Sequence, residues 1–393
     1  MKRQLWASAM KRIAIFCDGT WNSADSKPET NVVRLFTVAV ASQDIADDIH
    51  PLYHEGVGTG RGRNRVERFL DRLCGGAFGW GLTRNIRLAY EDLAKVFEPG
   101  DQIYLFGFSR GAYTARSLAG LIRNCGIPTP ENIERSQEAV NWYRDRGAAK
   151  APYTDESHEF RMNFSPQLTT GKEEIEWRKA NGKPLGMPLN ISYMGIWDTV
   201  GALGVPGFLG TLAKFLNMKY TFHDTDLSSM VKAGRHAVSI DERRRTYEPT
   251  LWNNLAGLSE GREGQPYQQK WFPGVHGVVG GGGPDIGLTM FTLAWIADGA
   301  KEAGLQLDEA ALVPFLSQRN YQGALRHGAL HMLSSLISRD RRGPKTTDEL
   351  AEVTLDRLAF GGKGGAVYDP ATLSDLKQQI AALPPRENPT RFA

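Results

Sequence analysis

The sequence predicts an α/β fold, with a mostly parallel central sheet and helices on both faces. Short apolar runs of about 4–8 residues, each followed by Gly or Asp, are typical of buried parallel strands. Helical patterns lie between or after these runs, and such alternation implies a parallel sheet that is covered on both faces. The predicted strands are Arg12–Cys17, Ile49–Tyr53, Gln102–Phe108, Asn190–Trp197 and Gln269–Val275.

Helical periodicity predicts helices at Val32–Ala41, Ile86–Phe97, Arg110–Asn124, Ile133–Arg146, Leu227–Val238 and Leu288–Ala303. The polar stretch of residues 147–188 is interpreted as an insertion with a helix at Lys172–Ala180. After residue 303 the strand signals stop, and helical patterns continue at Asp308–Ser317, Gly323–Ile337, Thr347–Leu358 and Ala371–Ala382. We therefore expect an α/β domain over residues 1–303 and an appended helical C-terminal region over residues 304–393, packed on the same domain.

Composition limits the possible partners and cofactors. A formal net charge of +3 is too small to indicate a nucleic-acid partner. The cysteines Cys17, Cys74 and Cys125 show no CxxC or Cys/His spacing, so neither a metal site nor another cofactor is predicted. No window holds the ~18 uninterrupted apolar residues of a membrane span, and Met1–Lys11 is too short for a signal-peptide core. We expect a chain that is cytoplasmic as synthesised and meets lipid only transiently, at its surface.

The strongest motif is Gly107-Phe108-Ser109-Arg110-Gly111, which matches G-x-S-x-G. A predicted strand leads directly into it and a predicted helix leads out, which is the context of the nucleophile elbow of α/β-hydrolases. The helix N-terminus places a positive dipole end beneath a developing oxyanion, and the N–H of Arg110 is the natural first donor. The motif predicts that Ser109 is a nucleophile; the alternative is a Gly-rich turn that has only a folding role.

A serine nucleophile requires a base and an orienting acid, which in this fold class follow in the order Ser, Asp or Glu, His. Asp198 ends the fourth predicted strand, where a carboxylate would project from the carboxyl edge of the sheet. His276 follows the fifth strand and precedes a run of glycines that leaves it room to reach the serine. The alternatives are a capping or turn aspartate and a buried structural histidine.

Two further segments would shape a substrate site. The first predicted strand ends in Asp18-Gly19-Thr20, at the same edge of the sheet, and Gly19 and Thr20 are candidates for the second oxyanion N–H. A plain βα turn is the alternative there. Val200–Met218 follows Asp198 and predicts an acyl-pocket wall or a lid, for which ordinary core packing is the alternative. Its apolar side chains include Leu203, Phe208 and Leu212.

Taken together, the motifs resemble a known family. They are similar to blocks of the α/β-hydrolase family of formerly unknown function that includes the type VI secretion phospholipase effectors of the Tle type. A charged block, Ser239–Arg244, is similar to a further block of that family. The other blocks are Phe16–Asn22, Gly107–Ala112, Trp197–Gly201 and Trp271–His276.

The resemblance implies a catalytic triad of Ser109, Asp198 and His276. It also implies ester hydrolysis, which in some members acts on glycerophospholipids. The family commonly follows its histidine with Ser-Asp, whereas this chain has Gly277-Val278. It further implies export by a secretion system that needs no signal peptide.

We therefore expect a serine hydrolase that cleaves carboxylic esters, with a lipid or phospholipid as substrate. One alternative is an esterase for a small soluble ester, since the chain lacks the long membrane-anchoring C-terminal module of the larger effectors. The other is a weakly active hydrolase-fold binding module, which Gly277-Val278 suggests. The sequence identifies no immunity or chaperone partner.

Overall fold

A computed structural model describes residues 10–19, 22–25, 27–56, 75–145, 147–201, 226–326 and 339–390. Within them, the strands of the central sheet are β1 (Arg12–Cys17), β2 (Ile49–His54), β3 (Gln102–Phe108), β6 (Ile191–Trp197), β7 (Val231–Ser239) and β8 (Tyr267–Phe272). A separate two-stranded sheet contains β4 (Leu168–Thr169) and β5 (Met187–Pro188). All neighbouring strands of the central sheet are parallel, as the alternation of strands and helices predicted.

The order of the central strands is β2-β1-β3-β6-β7-β8. After β1, the chain adds β2 on one side and then β3 and the later strands on the other, so a switch point lies between β1 and β3. In open parallel sheets, ligands bind outside the carboxyl ends of the strands at such a switch point. The register aligns Cys17 with Gly107 and Phe108 with Trp197. The residues that follow β1, β3 and β6 therefore emerge at one edge of the sheet, and the last two of these are Ser109 and Asp198.

Helices cover both faces of this sheet. The described helices are α1 (Asn31–Ala41), α2 (Gly75–Val96), α3 (Arg110–Cys125), α4 (Ser136–Arg144), α5 (Asp155–Phe164), α6 (Lys172–Ala180), α7 (Leu255–Ser259), α8 (His276–Gly280), α9 (Thr289–Glu302), α10 (Glu309–Leu316), α11 (Glu352–Phe360) and α12 (Lys377–Ala381). Successive side chains of β1 alternate between the faces: Ile13 and Ile15 pack in one core with α2 and α3, whereas Ala14 and Phe16 pack in the other with α1 and α9.

The polar insertion is held together by buried charge. Glu174, on α6, accepts from Arg161 of α5 and from Arg178 of α6, each at 2.6 Å, and all three side chains are buried. A buried carboxylate is tolerated only when it is paired and hydrogen-bonded, and here two guanidinium groups surround it. The structure confirms the predicted helix at Lys172–Ala180, while α5 is a helix that the sequence analysis did not predict.

The C-terminal residues pack over β7 and β8. Their buried cluster contains Val238, Ile240, Trp271, Leu350, Tyr368 and Leu373. Thr354 Oγ1 donates to the Trp271 carbonyl at 2.7 Å and Thr372 Oγ1 to the Ile240 carbonyl at 2.8 Å. Most of the predicted helix Gly323–Ile337 lies outside the described residues. The division of the chain at residue 303 stays a prediction.

One predicted helix is wrong: Leu227–Val238 is largely strand β7. Leu227, Met230 and Ala237 are spaced as on one face of a helix, which produced the error. The strand instead lies between β6 and β8, where most of its side chains are buried. Periodicity alone cannot assign a short apolar run to a helix or a strand. Here the strands that pair on both sides of the segment make it a strand. The predicted fifth strand, Gln269–Val275, is therefore the sixth of the sheet and ends at Phe272.

We expect Gly111→Ala to lower the free energy of unfolding by about 3 kcal/mol, because the backbone atoms that a Cβ would overlap cannot move aside as a flexible side chain can. A Cβ on Gly111 would overlap the Cys17 carbonyl oxygen and lie 2.5 Å from that of Asp18. The control is Gly257→Ala in α7, where a Cβ meets no atom within 4 Å and the change should stay within about 1 kcal/mol. Urea unfolding of both variants measures the difference, and equal midpoints would contradict the close approach of α3 to β1.

Candidate active site

Ser109 stands in the tight turn between β3 and α3. Its φ of 58° and ψ of −121° are costly for a residue with a side chain. Its N–H donates to the Trp197 carbonyl at 3.0 Å, which anchors the turn to β6. A Cβ on Gly107 would come within 2.6 Å of the Gly111 carbonyl oxygen, so both glycines of the motif are required by close backbone packing. This is the strand–turn–helix geometry that the motif predicted.

Asp198 follows β6 and is also strained, with φ of 37°. Among the described non-glycine residues, positive φ occurs at Ser109 and Asp198 alone. The Asp198 N–H donates to the Ala237 carbonyl at 2.7 Å, and the next N–H, of Thr199, donates to His236 Nε2 at 3.2 Å. Strain of this kind persists only where the surroundings enforce it, and it concentrates at functional sites.

A continuous hydrogen-bonded chain joins the three predicted catalytic residues. Ser109 Oγ lies 2.9 Å from His276 Nε2, and His276 Nδ1 lies 2.6 Å from Asp198 Oδ2. The carboxylate can only accept, so Nδ1–H donates to Asp198 and Nε2 is left to accept from the Ser109 hydroxyl. All three side chains are buried, and the His276 ring contacts the rings of Phe108 and Tyr247, with centroids 4.7 Å apart in each pair.

The charges around this chain act in opposite directions. Burial alone would raise the pKa of Asp198, but Arg341 and His276 outweigh it and hold this pKa well below its usual range. Burial lowers the pKa of His276; Asp198 and Glu242 raise it, and Arg341 lowers it. The net result is a pKa of His276 below its ordinary value, so the imidazole is neutral and can act as a base at neutral pH.

The predicted oxyanion loop is organised by the side chain of Asp18. Its carboxylate accepts from Gly19 N at 2.6 Å, from Thr30 Oγ1 at 2.8 Å and from Tyr53 Oη at 2.8 Å. Burial raises its pKa to about 6, against the opposing effect of these donors. The Gly19 N–H, predicted as a candidate oxyanion donor, is therefore engaged by Asp18, while Thr20 lies outside the described residues.

On the other side of Ser109, Arg110 is the first residue of α3. The first N–H groups of a helix point out of its N-terminus. This places the Arg110 N–H in the expected direction for an oxyanion donor.

The predicted acyl-pocket residues Leu203, Phe208 and Leu212 lie outside the described residues. Over the part of the chain that the structure describes, no helix is long and apolar enough to cross a membrane. Nor, within that part, do three or more His, Cys, Asp or Glu side chains gather as metal ligands.

Sequence reasoning missed several residues that contact the chain. Ser239 donates to Asp198 through its N–H at 2.9 Å and its hydroxyl at 3.2 Å, and Glu242 Oε2 accepts from His276 N at 3.3 Å. Both lie in the charged block Ser239–Arg244, so the block itself was a usable signal. Arg341 binds both oxygens of Asp198. It belongs to a run of charged residues, Arg339–Arg342, of a kind that is usually solvated, and no local pattern marks it.

The sheet is parallel, a strained serine lies between a strand and a helix, and the hydrogen-bonded Ser, Asp and His follow one another in that order along the chain. Together these features define an α/β-hydrolase-like protein. Residues 11–299 match the model of the family described as "T6SS, Phospholipase effector Tle1-like, catalytic domain". The chain belongs to this family. The resemblance found in the sequence motifs is thereby confirmed.

The chain is also similar to individual proteins. The chain is 30% identical over 254 residues to the uncharacterized protein YEL023C of Saccharomyces cerevisiae, a match that covers 62% of this chain and 33% of that protein. It thus spans about one third of the length of this relative.

Two solved structures are also similar to the chain. One is an uncharacterized protein from Pseudomonas aeruginosa (TM-score 0.34, 16% identity, 96% of this chain and 60% of that one). The other is the Tle1 effector bound to the VgrG spike of the type 6 secretion system (TM-score 0.30, 15% identity, 71% and 52%). At TM-scores this low, neither structure informs the function of this chain.

The buried His236 makes acid stability a measurable property of the site. Its Nδ1–H donates to Gln269 Oε1 at 2.9 Å, and burial lowers its pKa to about 3. The unfolded chain takes up a proton below about pH 6.5 while the folded one does not. The contribution of neutral His236 to the free energy of unfolding is therefore complete above about pH 6.5. It is lost as the pH falls toward 3, by up to about 1.4 kcal/mol per pH unit.

We expect His236→Gln to be less stable than the parent at pH 7 but to lose less stability on acidification. The difference in unfolding free energy should shrink by about 2 kcal/mol between pH 7 and pH 5. Urea unfolding at the two pH values measures it. A difference that stays constant would show that His236 takes up its proton in the folded chain at the same pH as in the unfolded chain.

Proposed function

We propose that this protein is a serine hydrolase that cleaves carboxylic esters of lipids, with Ser109 as the nucleophile. The observation that carries the proposal is the buried chain from Ser109 Oγ through His276 to Asp198, with 2.9 Å and 2.6 Å between successive atoms. A hydroxyl is a weak nucleophile until a base accepts its proton, and His276 Nε2 is within hydrogen-bond reach of it.

In the acylation step, Ser109 Oγ attacks the ester carbonyl carbon while its proton passes to His276 Nε2. The imidazolium that forms is stabilised by Asp198, which also holds the ring in the required tautomer. His276 then protonates the leaving alcohol as the tetrahedral intermediate collapses to an acyl-serine. Water, deprotonated by the same nitrogen, attacks the acyl-serine and releases the carboxylic acid and the free serine.

The tetrahedral intermediate carries a negative oxygen that requires preorganised donors. We assign one donor to the Arg110 N–H, at the N-terminus of α3. The loop after β1 supplies the second, and because the Gly19 N–H is engaged by Asp18, we assign it to Thr20. Asp18 then acts as the residue that holds this loop, through Thr30 and Tyr53.

Family membership supports the substrate class. The family's description as the catalytic domain of a phospholipase effector supports hydrolysis of a glycerophospholipid at a membrane surface. It also supports delivery by a type VI secretion system. An esterase for small soluble esters and a hydrolase-fold binding module are the two outcomes that the experiments below separate from this function.

A fluorophosphonate probe should label the parent protein at Ser109, because labelling requires an activated hydroxyl. Ser109→Ala and His276→Ala should each remove nearly all ester hydrolysis. The double variant should be no worse than either, since the residues act as a unit. Mass spectrometry of the labelled peptide identifies the labelled residue, and turnover of a chromogenic ester measures the rate of hydrolysis.

The matched control is Ser117→Ala, which removes a buried hydroxyl from α3, the helix that follows Ser109, and should keep labelling. Two half-active single variants would contradict the triad. An unlabelled Ser109, with no ester hydrolysed, would favour the binding module.

The proposed acyl pocket predicts that kcat/KM rises with acyl length, because each buried methylene contributes about 0.8 kcal/mol. Phe208→Asp should reduce turnover of long-chain esters and spare short ones, since the triad is unchanged. Tyr153→Asp, on an exposed aromatic residue of the insertion, serves as control and should leave both rates unchanged. A chain-length profile that is flat, with Phe208→Asp harmless, would favour the small soluble ester.

A further inference from the structure

A buried guanidinium group binds the carboxylate of the proposed triad. Arg341 Nη1 lies 2.7 Å from Asp198 Oδ1, and Arg341 Nη2 lies 2.9 Å from Asp198 Oδ2. The Arg341 side chain is 2% exposed and that of Asp198 is 0% exposed. Two parallel N–H···O bonds of this kind are strong and geometrically specific, because the planar fork matches the two oxygens.

The guanidinium is also held in place by the last residue of β7 and by the segment that follows it. Arg341 Nη1 also donates to the Ser239 hydroxyl at 2.6 Å and to the Ser239 carbonyl at 3.0 Å, while Nη2 donates to the Tyr247 carbonyl. These bonds fix the fork in the orientation that faces Asp198. Arg341 lies beyond residues 11–299, the part of the chain that matches the family.

We propose that Arg341 is a positioning residue of the triad, which holds the Asp198 carboxylate in place and weakens its pull on the proton of His276. In a Ser–His–Asp arrangement, the charge of the aspartate stabilises the imidazolium. Arg341 shares that charge, because it binds both oxygens of the carboxylate. The proposal rests on the proposed function, in which His276 is the base.

Several charged or titratable side chains surround His276. On the anionic side are Asp198 and Glu242, and Glu242 is itself paired with Arg244 at 2.7 Å. Arg341 is the cation bound to Asp198, and the ring of Tyr247 packs edge-on against His276. Burial lowers the pKa of His276 first, Asp198 raises it, Arg341 lowers it, and Glu242 raises it. Removing Arg341 therefore raises the pKa of His276.

A purely structural ion pair would behave differently. Breaking a buried pair by removing one partner is destabilising, whatever the catalytic role of the other. A loss of stability therefore does not separate the two roles. The pH profile of kcat/KM does separate the two roles. Its acid limb, the fall in kcat/KM at low pH, follows the protonation of the base in the free enzyme.

The test compares Arg341→Gln and Arg341→Lys with the parent, in the full chain. In Arg341→Gln, the acid limb of kcat/KM should move to higher pH by about one unit. Activity at pH 6 should fall up to about tenfold more than activity at pH 9. Arg341→Lys keeps the positive charge but not the fork, so its limb should stay close to that of the parent while its rate falls.

The matched control is Arg357→Gln. Arg357 is another buried arginine of the C-terminal residues, which donates to the carbonyls of Tyr321 and Gly323 at 2.7 Å and 2.8 Å. Its loss should lower stability without moving the limb. An Arg341→Gln variant that loses rate equally at every pH, with an unmoved limb, would overturn the proposal.

NMR titration of the His276 ring in Ser109→Ala protein tests the same electrostatics without turnover. Adding Arg341→Gln should raise the titration midpoint of His276, and an unchanged midpoint would overturn the proposal. This holds even if no ester is hydrolysed and no probe reacts, results that count against the proposed function alone. Should Arg341→Gln fail to fold, Arg341→Lys decides. A lowered kcat/KM with an unmoved His276 midpoint agrees with the proposal, and a rate equal to that of the parent would overturn the positioning role of the fork.

Discussion

The carboxylate of Asp198 is fully buried, and the rest of the site is built around this constraint. Desolvating a carboxylate costs several kcal/mol unless donors and a cation surround it. Here the donors come from three places: the His276 ring after β8, the N–H and hydroxyl of Ser239 at the end of β7, and the fork of Arg341. The same group thus ties together the last two strands of the sheet and the C-terminal residues.

A second constraint is backbone strain at the carboxyl ends of two neighbouring strands. Ser109 and Asp198 each hold a positive φ, at a cost of about 1–3 kcal/mol apiece. Parallel pairing of β3 with β6 sets these two residues side by side, and the Ser109 N–H to the Trp197 carbonyl locks the turn. The two apolar cores on either face of the sheet supply the stability that offsets such strain.

The sequence was informative where chemistry and local geometry coincide. The glycines of the elbow, the residue at the end of each strand and the chain order were enough to predict Ser109, Asp198 and His276, which the structure brings within hydrogen-bond distance. Their catalytic role stays a proposal. The strand β7 was misassigned because its apolar spacing suits a helix and its neighbours in the sheet are not visible locally. The hydrogen bond from Gly19 to Asp18 was not predictable either, since it depends on how one turn closes.

Arg341 could not be predicted from the sequence for a different reason. Its partner is 143 residues away in the chain, and a charged run is ordinarily solvated, so only the folded chain reveals the pair. It is not an isolated contact. Tyr368 donates to Asp241 at 2.9 Å, and Asp241 accepts from Gly274 N, two residues before His276. The residues after 303 therefore support both the acid and the base of the proposed triad. These residues lie past residues 11–299, the part of the chain that matches the family, and the cation that binds Asp198 comes from among them.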